Sequence, residues 1–463
     1  MNNIGDVTIT TNTETRLTQE LANPMLQHSL DIQERSIPDG NFLKYHYNEV
    51  KPLGTFDSPN YEILINSPNP WLLDSLYFDV SIDVSAAEEF KADNFQPVTN
   101  FFNSYFSNIK TCVGQNLQPI DHINDLNPEW GYIWKTLESS KDYYEQMGNI
   151  DLFIPDTPGQ FEIIAGNNLG GKSRIAIVQE GLSEDKKTLK LRGKFKPSHL
   201  FFQKEKMYPP YVPLRISLCK TSNIKLAMTT LTSVTYKLAD LKCLFKSFQI
   251  NQAGYDRFEK SYVRQMETPS DLNLPVNPYK NPSALYYYFD VRGSTMTIPV
   301  YTSTFTTPIK YGSNLPKGII FCLQTSELKL TNNPFNFPVR NIRCISVRVN
   351  SETRVPCNLC ITQTNSAFQN FFMRLRNFLG ANFSSMDIGP SYFQFVGGTG
   401  IMAELFNPQD SLNIHSKLEV GSIDLTIDFV NPLVKPLTLI YFLIYDQTLI
   451  IDEKGNGTLA ITV

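Results

Sequence analysis

The residues most capable of chemistry in this chain are 166–173, GNNLGGKS. Their spacing fits G-x-x-x-x-G-K-[ST]. In that pattern backbone N–H groups cradle nucleotide phosphates, the lysine reaches the outer phosphates and the hydroxyl holds Mg²⁺. An apolar run, FEIIA at residues 161–165, stands where the strand before such a loop belongs. The same chemistry requires a helix to begin at the lysine, because a helix N-terminus supplies both donors and dipole. Residues 174–179, RIAIVQ, hold three β-branched side chains and show no helical stripe, so a strand is expected there. The Mg²⁺-binding aspartate of such an enzyme has a candidate in Asp446, which ends the run IYFLIY. With the helix missing, residues 166–173 read as a glycine-rich turn between two strands.

Other reactive groups are scattered. Cys357 and Cys360 form the only CxxC, and a structural zinc site needs two further ligands at similar spacing. The five histidines, His28, His46, His122, His199 and His415, stand apart. Lys186, Lys187, Lys190, Arg192, Lys194 and Lys196 make a basic stripe that a solvated face, nucleic acid or an acidic partner explains. Aromatic residues do not interleave with it as in a base-stacking platform. No set of residues fits a catalytic, cofactor-binding or metal-ligating pattern, and no cofactor is expected.

Composition narrows the class. The chain has 463 residues, 41% hydrophobic and 19% charged, an ordinary globular composition with room for two or three domains. With 41 basic and 45 acidic residues the net charge is −4, against a protein that coats nucleic acid. The first residues are polar without a charged-then-apolar layout, so secretion is not expected. The run from Leu437 to Tyr445 is too short to span a bilayer. Seven scattered cysteines read as reduced thiols of a cytosolic or nuclear setting.

The elements that must position these groups are mostly strands. Residues 78–84, 189–195, 214–218 and 423–429 alternate apolar with polar, the period of antiparallel sheets with one buried face. One helix is expected from an Asn127 cap with Pro128 in the first turn, carrying Trp130, Ile133, Trp134 and Leu137. A second opens near Ser366 and carries Phe368, Phe371, Phe372, Leu375 and Leu379, a stripe expected to pack on its own sheet. Each helix interrupts a series of strands at a similar place, which points to two copies of one β-rich architecture. The expected division is an arm at residues 1–45, a first unit at 46–252 and a second at 253–463, with the join near residue 252 ahead of a proline-rich stretch at 268–282. Two units of many short strands fit sandwiches or jelly rolls, an all-β class with a few short helices.

Residues 330–337, LTNNPFNF, followed by 341–349, NIRCISVRV, and then Val355-Pro356 resemble the major capsid proteins of Polinton/Maverick elements and adintoviruses. Residues 189–193, Phe201-Phe202, 209–218, 239–245 and the ending from 421 to 451 are similar in the same order. Agreement is poor at residues 149–171 and 252–283. The resemblance implies a double jelly roll of two eight-stranded sandwiches and a structural protein without catalytic residues. It further implies a homotrimer forming a pseudo-hexagonal capsomer that contacts neighbouring capsomers, penton and minor capsid proteins in an icosahedral virion. Assembly would take place in the host nucleus or cytoplasm, with nucleic-acid contact at most indirect and no small-molecule substrate. By the same resemblance, residues 120–171 and 352–400 are candidates for the outer surface, and the arm reaches under neighbours or inward. Two other readings remain: a nucleotide hydrolase using residues 166–173, and a β-sandwich adhesin or carbohydrate-binding module.

Overall fold

In the computed structural model, residues 42–461 are described apart from 87, 92, 122, 124, 165–166, 182–187, 196–201, 203–205, 255–282, 340, 354–366, 380–387, 407–419 and 453. Eight strands arise from the first part of the chain: β1 Phe42–Val50, β2 Asn60–Ile65, β3 Tyr77–Ala86, β4 Phe106–Val113, β5 Gln118–Pro119, β6 Thr188–Gly193, β7 Leu214–Lys220 and β8 Val234–Ile250. Eight more follow: β9 Ser283–Ile298, β10 Thr304–Asn314, β11 Gly318–Thr325, β12 Ile342–Val349, β13 Glu352–Thr353, β14 Met402–Leu405, β15 Val420–Phe429 and β16 Leu437–Asp452. Short strands at Trp71–Leu72, Phe95–Pro97, Met207–Tyr208, Ala227–Thr229 and Gly457–Ile461 fill the margins.

The pairing repeats. The first eight strands form sheets in the orders β1–β8–β3–β6 and β2–β7–β4–β5. The second eight form β9–β16–β11–β14 and β10–β15–β12–β13, the same orders with eight added to each number. All of these pairs are antiparallel. Two four-stranded sheets with strands exchanged in this way make a jelly roll, so the chain is a double jelly roll. The alternation seen in the sequence aims each core. Phe78, Val80, Ile82 and Val84 of β3 are buried, and so are Ile423, Leu425, Ile427 and Phe429 of β15. β1 crosses the expected arm boundary, because its pairing with β8 starts at Phe42. The proline-rich stretch at 268–282 and residues 1–41 lie outside the described residues.

Helices occupy two long excursions. Between β5 and β6 run α2 Asn127–Glu138, α3 Lys141–Gln146, α4 Gly148–Asp151 and α5 Leu169–Gly181, after the single turn α1 Phe101–Ser104 has led into β4. Between β13 and β14 run α6 Ala367–Phe378 and α7 Tyr392–Gly397. α2 starts one residue earlier than the capping pattern implies, with Leu126 as its cap. The Asn127 amide instead donates to the Phe106 carbonyl at 3.0 Å. α6 buries Phe368, Phe371, Leu375 and Phe378, and a Cβ on Gly318 of β11 would touch Phe378.

The first excursion, expected among the outer-surface candidates at residues 120–171, exposes α3 but buries α2. Trp130, Ile133, Trp134 and Leu137 of α2 are buried. Trp130 stacks on Trp134 at 5.2 Å and lies 5.2 Å from Phe442 of β16, in the other half. Tyr132 stacks on Phe335 at 4.6 Å. An aromatic helix face needs a sheet to cover it, and here the neighbouring half supplies one. Replacing Trp130 with alanine should therefore lower stability by about 3–5 kcal/mol, the range for buried tryptophan. A urea titration followed by circular dichroism measures it; a loss under about 1 kcal/mol means that α2 is not the wedge between halves.

Candidate functional site

Residues 167–173 differ from expectation on both flanks. Residues 161–164 form turns rather than a strand, and residues 169–181 form α5 rather than a turn and strand. The buried face of α5 is Gly171, Arg174, Ile175 and Val178, a helical i, i+3, i+4, i+7 set. A buried glycine and a buried arginine break the apolar stripe in the sequence, and β-branched residues pull the reading towards strand. Tertiary burial outweighs that propensity.

The helix does not restore the phosphate chemistry. Gly170 and Gly171 sit inside its first turn, not in a loop before it. A Cβ at Gly170 would collide with the Pro155 carbonyl, and one at Gly171 with the Gln96 side chain. The first-turn donors are already engaged: Leu169 N–H donates to Thr157 Oγ1 at 2.9 Å and Gly171 N–H to Asn168 Oδ1 at 3.2 Å. Asn168 Nδ2 in turn donates to the Asp156 carboxylate at 2.8 Å. An incoming phosphate would face a fixed carboxylate in a filled site. Lys172 is exposed, and Asp446 is half-buried on β16 with Lys317 3.9 Å away.

Asp156 is instead the centre of a buried network. Its Oδ1 accepts from Arg174 Nη2 at 2.5 Å and from Asn168. Its Oδ2 accepts from Thr99 Oγ1 and from Asn333 Nδ2, each at 3.0 Å. Asp156 is 3% exposed and Arg174 0%. The guanidinium is completed by the carbonyls of Pro97, at 2.7 Å, and Ile154. Thr99 precedes β4 in the first half and Asn333 precedes β12 in the second, so one carboxylate ties together the equivalent connections of both jelly rolls.

The NPFNF turn is the other side of this tie. Glu162 accepts from Asn332 Nδ2 at 3.1 Å, Asn333 N–H at 3.2 Å and Asn336 Nδ2 at 2.8 Å. Phe335 and Phe337 are fully buried against Tyr132. A second latch lies where the β4–β5 connection meets the turn after β16. There Asn116 exchanges two hydrogen bonds with Gly457, at 2.7 and 2.8 Å. Another buried pair, Lys135 with Asp151, holds α2 to α4, with Tyr143 donating to Asp151 at 2.7 Å. Burial, then the adjacent Asp151 carboxylate, push the Tyr143 hydroxyl up, so it stays a donor.

The remaining candidates are dispersed. Arg192 is bidentate to Asp79, and Lys194 reaches the Asp74 carbonyl and covers the Tyr77 ring at 4.7 Å. Lys190 is exposed. Lys186, Lys187, Lys196, Cys357, Cys360, His28, His122, His199 and His415 lie outside the described residues, and His46 is exposed on β1. Cys112, Cys219, Cys243, Cys322 and Cys344 are free thiols. Among the described residues no group of three or more metal-binding side chains forms. Asp156 and Glu162 escaped sequence reasoning because they fall in the stretch that matches the capsid family poorly; their partner turn at 332–336 was the only signal.

No family profile and no curated protein sequence matches this chain. Solved structures do resemble it. A chain of the Sputnik virophage structure is similar with a TM-score of 0.62 at 13% identity, covering 100% of this chain and 94% of the other. A chain of the PBCV-1 virus capsid gives 0.55 at 10% identity, covering 93% and 100%. The mavirus major capsid protein gives 0.55 at 8% identity, covering 100% and 97%.

Arg174→Met should cost about 3–5 kcal/mol, because it leaves Asp156 charged and buried without its partner. Lys172→Ala should change stability by less than about 0.5 kcal/mol, as exposed substitutions do. Thermal scans with and without ATP and Mg²⁺ check both; stabilisation by ATP that Lys172→Ala abolishes contradicts the structural assignment. At these identities the likeness establishes the architecture, and the chain shares its double jelly roll, along nearly its full length, with these viral proteins.

Proposed function

We propose that this chain is a major capsid protein of the Polinton/Maverick–adintovirus type. Three copies associate into a pseudo-hexagonal capsomer, and capsomers tile an icosahedral virion shell together with penton and minor capsid proteins. The observation that carries the reading is two jelly rolls of identical strand order, locked together by contacts between them. A tile of that kind must transmit load across its own middle without opening. The Asp156 network, the Asn116–Gly457 latch and the α2 wedge supply that rigidity from three places. The resemblance of residues 330–349 to capsid proteins, and the full-length likeness to the mavirus major capsid protein, support the same function.

On this reading the chain works by burying surface between copies, not by catalysis. It resides in the virion after assembly in the host nucleus or cytoplasm. The arm, expected at residues 1–45, gives way to the first jelly roll where β1 begins at Phe42; that jelly roll ends near residue 252 and the second follows. Light scattering coupled to size exclusion should give three times the 52.7 kDa chain mass. A monomer that persists at high concentration contradicts the proposal.

A further inference from the structure

The pair Lys135 and Asp151 differs from the other buried ion pairs. Its amine and carboxylate are in direct contact, and the two side chains are 4% and 3% exposed. Arg174, beside Asp156, carries a delocalised guanidinium already engaged by two carbonyls. Lys317 stands 3.9 Å from Asp446, and Lys225, against Glu129, is 20% exposed. The Lys135 amine also lies 4.5 Å from the centre of the Phe153 ring and 5.2 Å from that of Tyr143. It is a primary amine held on a carboxyl group between aromatic rings, away from water.

Each oxygen of Asp151 has its own donor. Oδ1 accepts from the Phe153 N–H at 3.1 Å, a donor shared with the Gly148 carbonyl at 3.0 Å. Leu152, between them, has φ 55°, in the left-handed region that a leucine rarely adopts, and this turn brings the Phe153 N–H back onto the carboxylate. Oδ2 accepts from the Tyr143 hydroxyl at 2.7 Å. Replacing one carboxyl oxygen requires such a pair of donors. The first steadies the oxygen that takes up negative charge, and the second protonates the one that leaves.

We propose that Lys135 and Asp151 condense into an amide, a covalent bond that fastens α2 to α4. Burial favours passing the ammonium proton to Asp151, because two neutral groups cost less in an apolar site than two ions. The Nζ lone pair then attacks Cγ, and Oδ1 takes up the displaced electron pair beside the Phe153 N–H. The Cγ–Oδ2 bond breaks next. Oδ2 leaves as water, carrying the first proton and a second from Tyr143, whose hydroxyl regains one from Nζ. Three ammonium protons become one amide N–H and two protons of water, and no oxidant or further reactant is needed. Fixed contact between the reacting groups supplies the proximity that the reaction lacks in solution. The amide spans 16 residues and anchors α2, whose Trp130 lies against Phe442, by a link that pH does not open. The inference stands on this geometry and is independent of the capsid reading.

Denaturing mass spectrometry of the intact full chain tests it. Wild type should be lighter than its sequence by one water. A tryptic digest should leave Lys135 uncut and yield residues 111–141 joined to residues 142–172 through the two side chains. Lys135→Arg should have its full sequence mass. Tyr143→Phe, with a circular dichroism spectrum matching wild type, should close roughly tenfold more slowly, read as open chain persisting in freshly made protein. A wild type of full mass, or a lost water with Lys135 cleaved normally, overturns the proposal. Equally fast closure in Tyr143→Phe overturns the proton path through the tyrosine.

Discussion

The structure hangs on one buried carboxylate. Asp156 accepts hydrogen bonds from Arg174, Asn168, Thr99 and Asn333, which lie in three separate connections. A charge at 3% exposure is tolerable only when a countercharge and donors surround it. That condition is what brings the connections together: none of the four donors can move far without leaving a desolvated group unpaired. The tie therefore contributes definition more than raw stability. Its energy is small beside the apolar burial around it, but the penalty for breaking it is large.

Around that centre, aromatic packing does the bulk of the joining. Trp130, Tyr132, Phe335, Phe337 and Phe442 form a continuous contact from α2 to the second jelly roll. The consequence is asymmetry between two topologically equal sandwiches. One has its outer sheet face met by α2 of the other, and among the described residues the first shows exposed tyrosines at Tyr45 and Tyr47. Equal topology with unequal polarity is what a repeat shows when its neighbours differ.

Much of the architecture was legible because alternation along β3, β6, β7 and β15 is enforced by a core on one side and water on the other. The two aromatic helices were legible for the same reason. Where burial was achieved with polar residues, the signal vanished. α5 hid behind Gly171 and Arg174, whose burial depends on Pro97, Gln96 and Ile154, residues distant in the chain. The motif at 166–173 matched in letters, and its rejection rested on a helix that in fact exists. What excludes nucleotide is the filled N-terminus of α5 and its acidic neighbour, neither visible from spacing. Asp156 itself sits in PDTPG, a turn whose letters reveal no partner across 177 residues.

Electron microscopy of the purified protein in negative stain is the most direct test of the central claim that this double jelly roll is a shell-forming tile. The account predicts particles with a hexagonal outline, alone or joined into sheets or shells. Uniform, featureless particles of single-chain size at concentrations well above micromolar would contradict it.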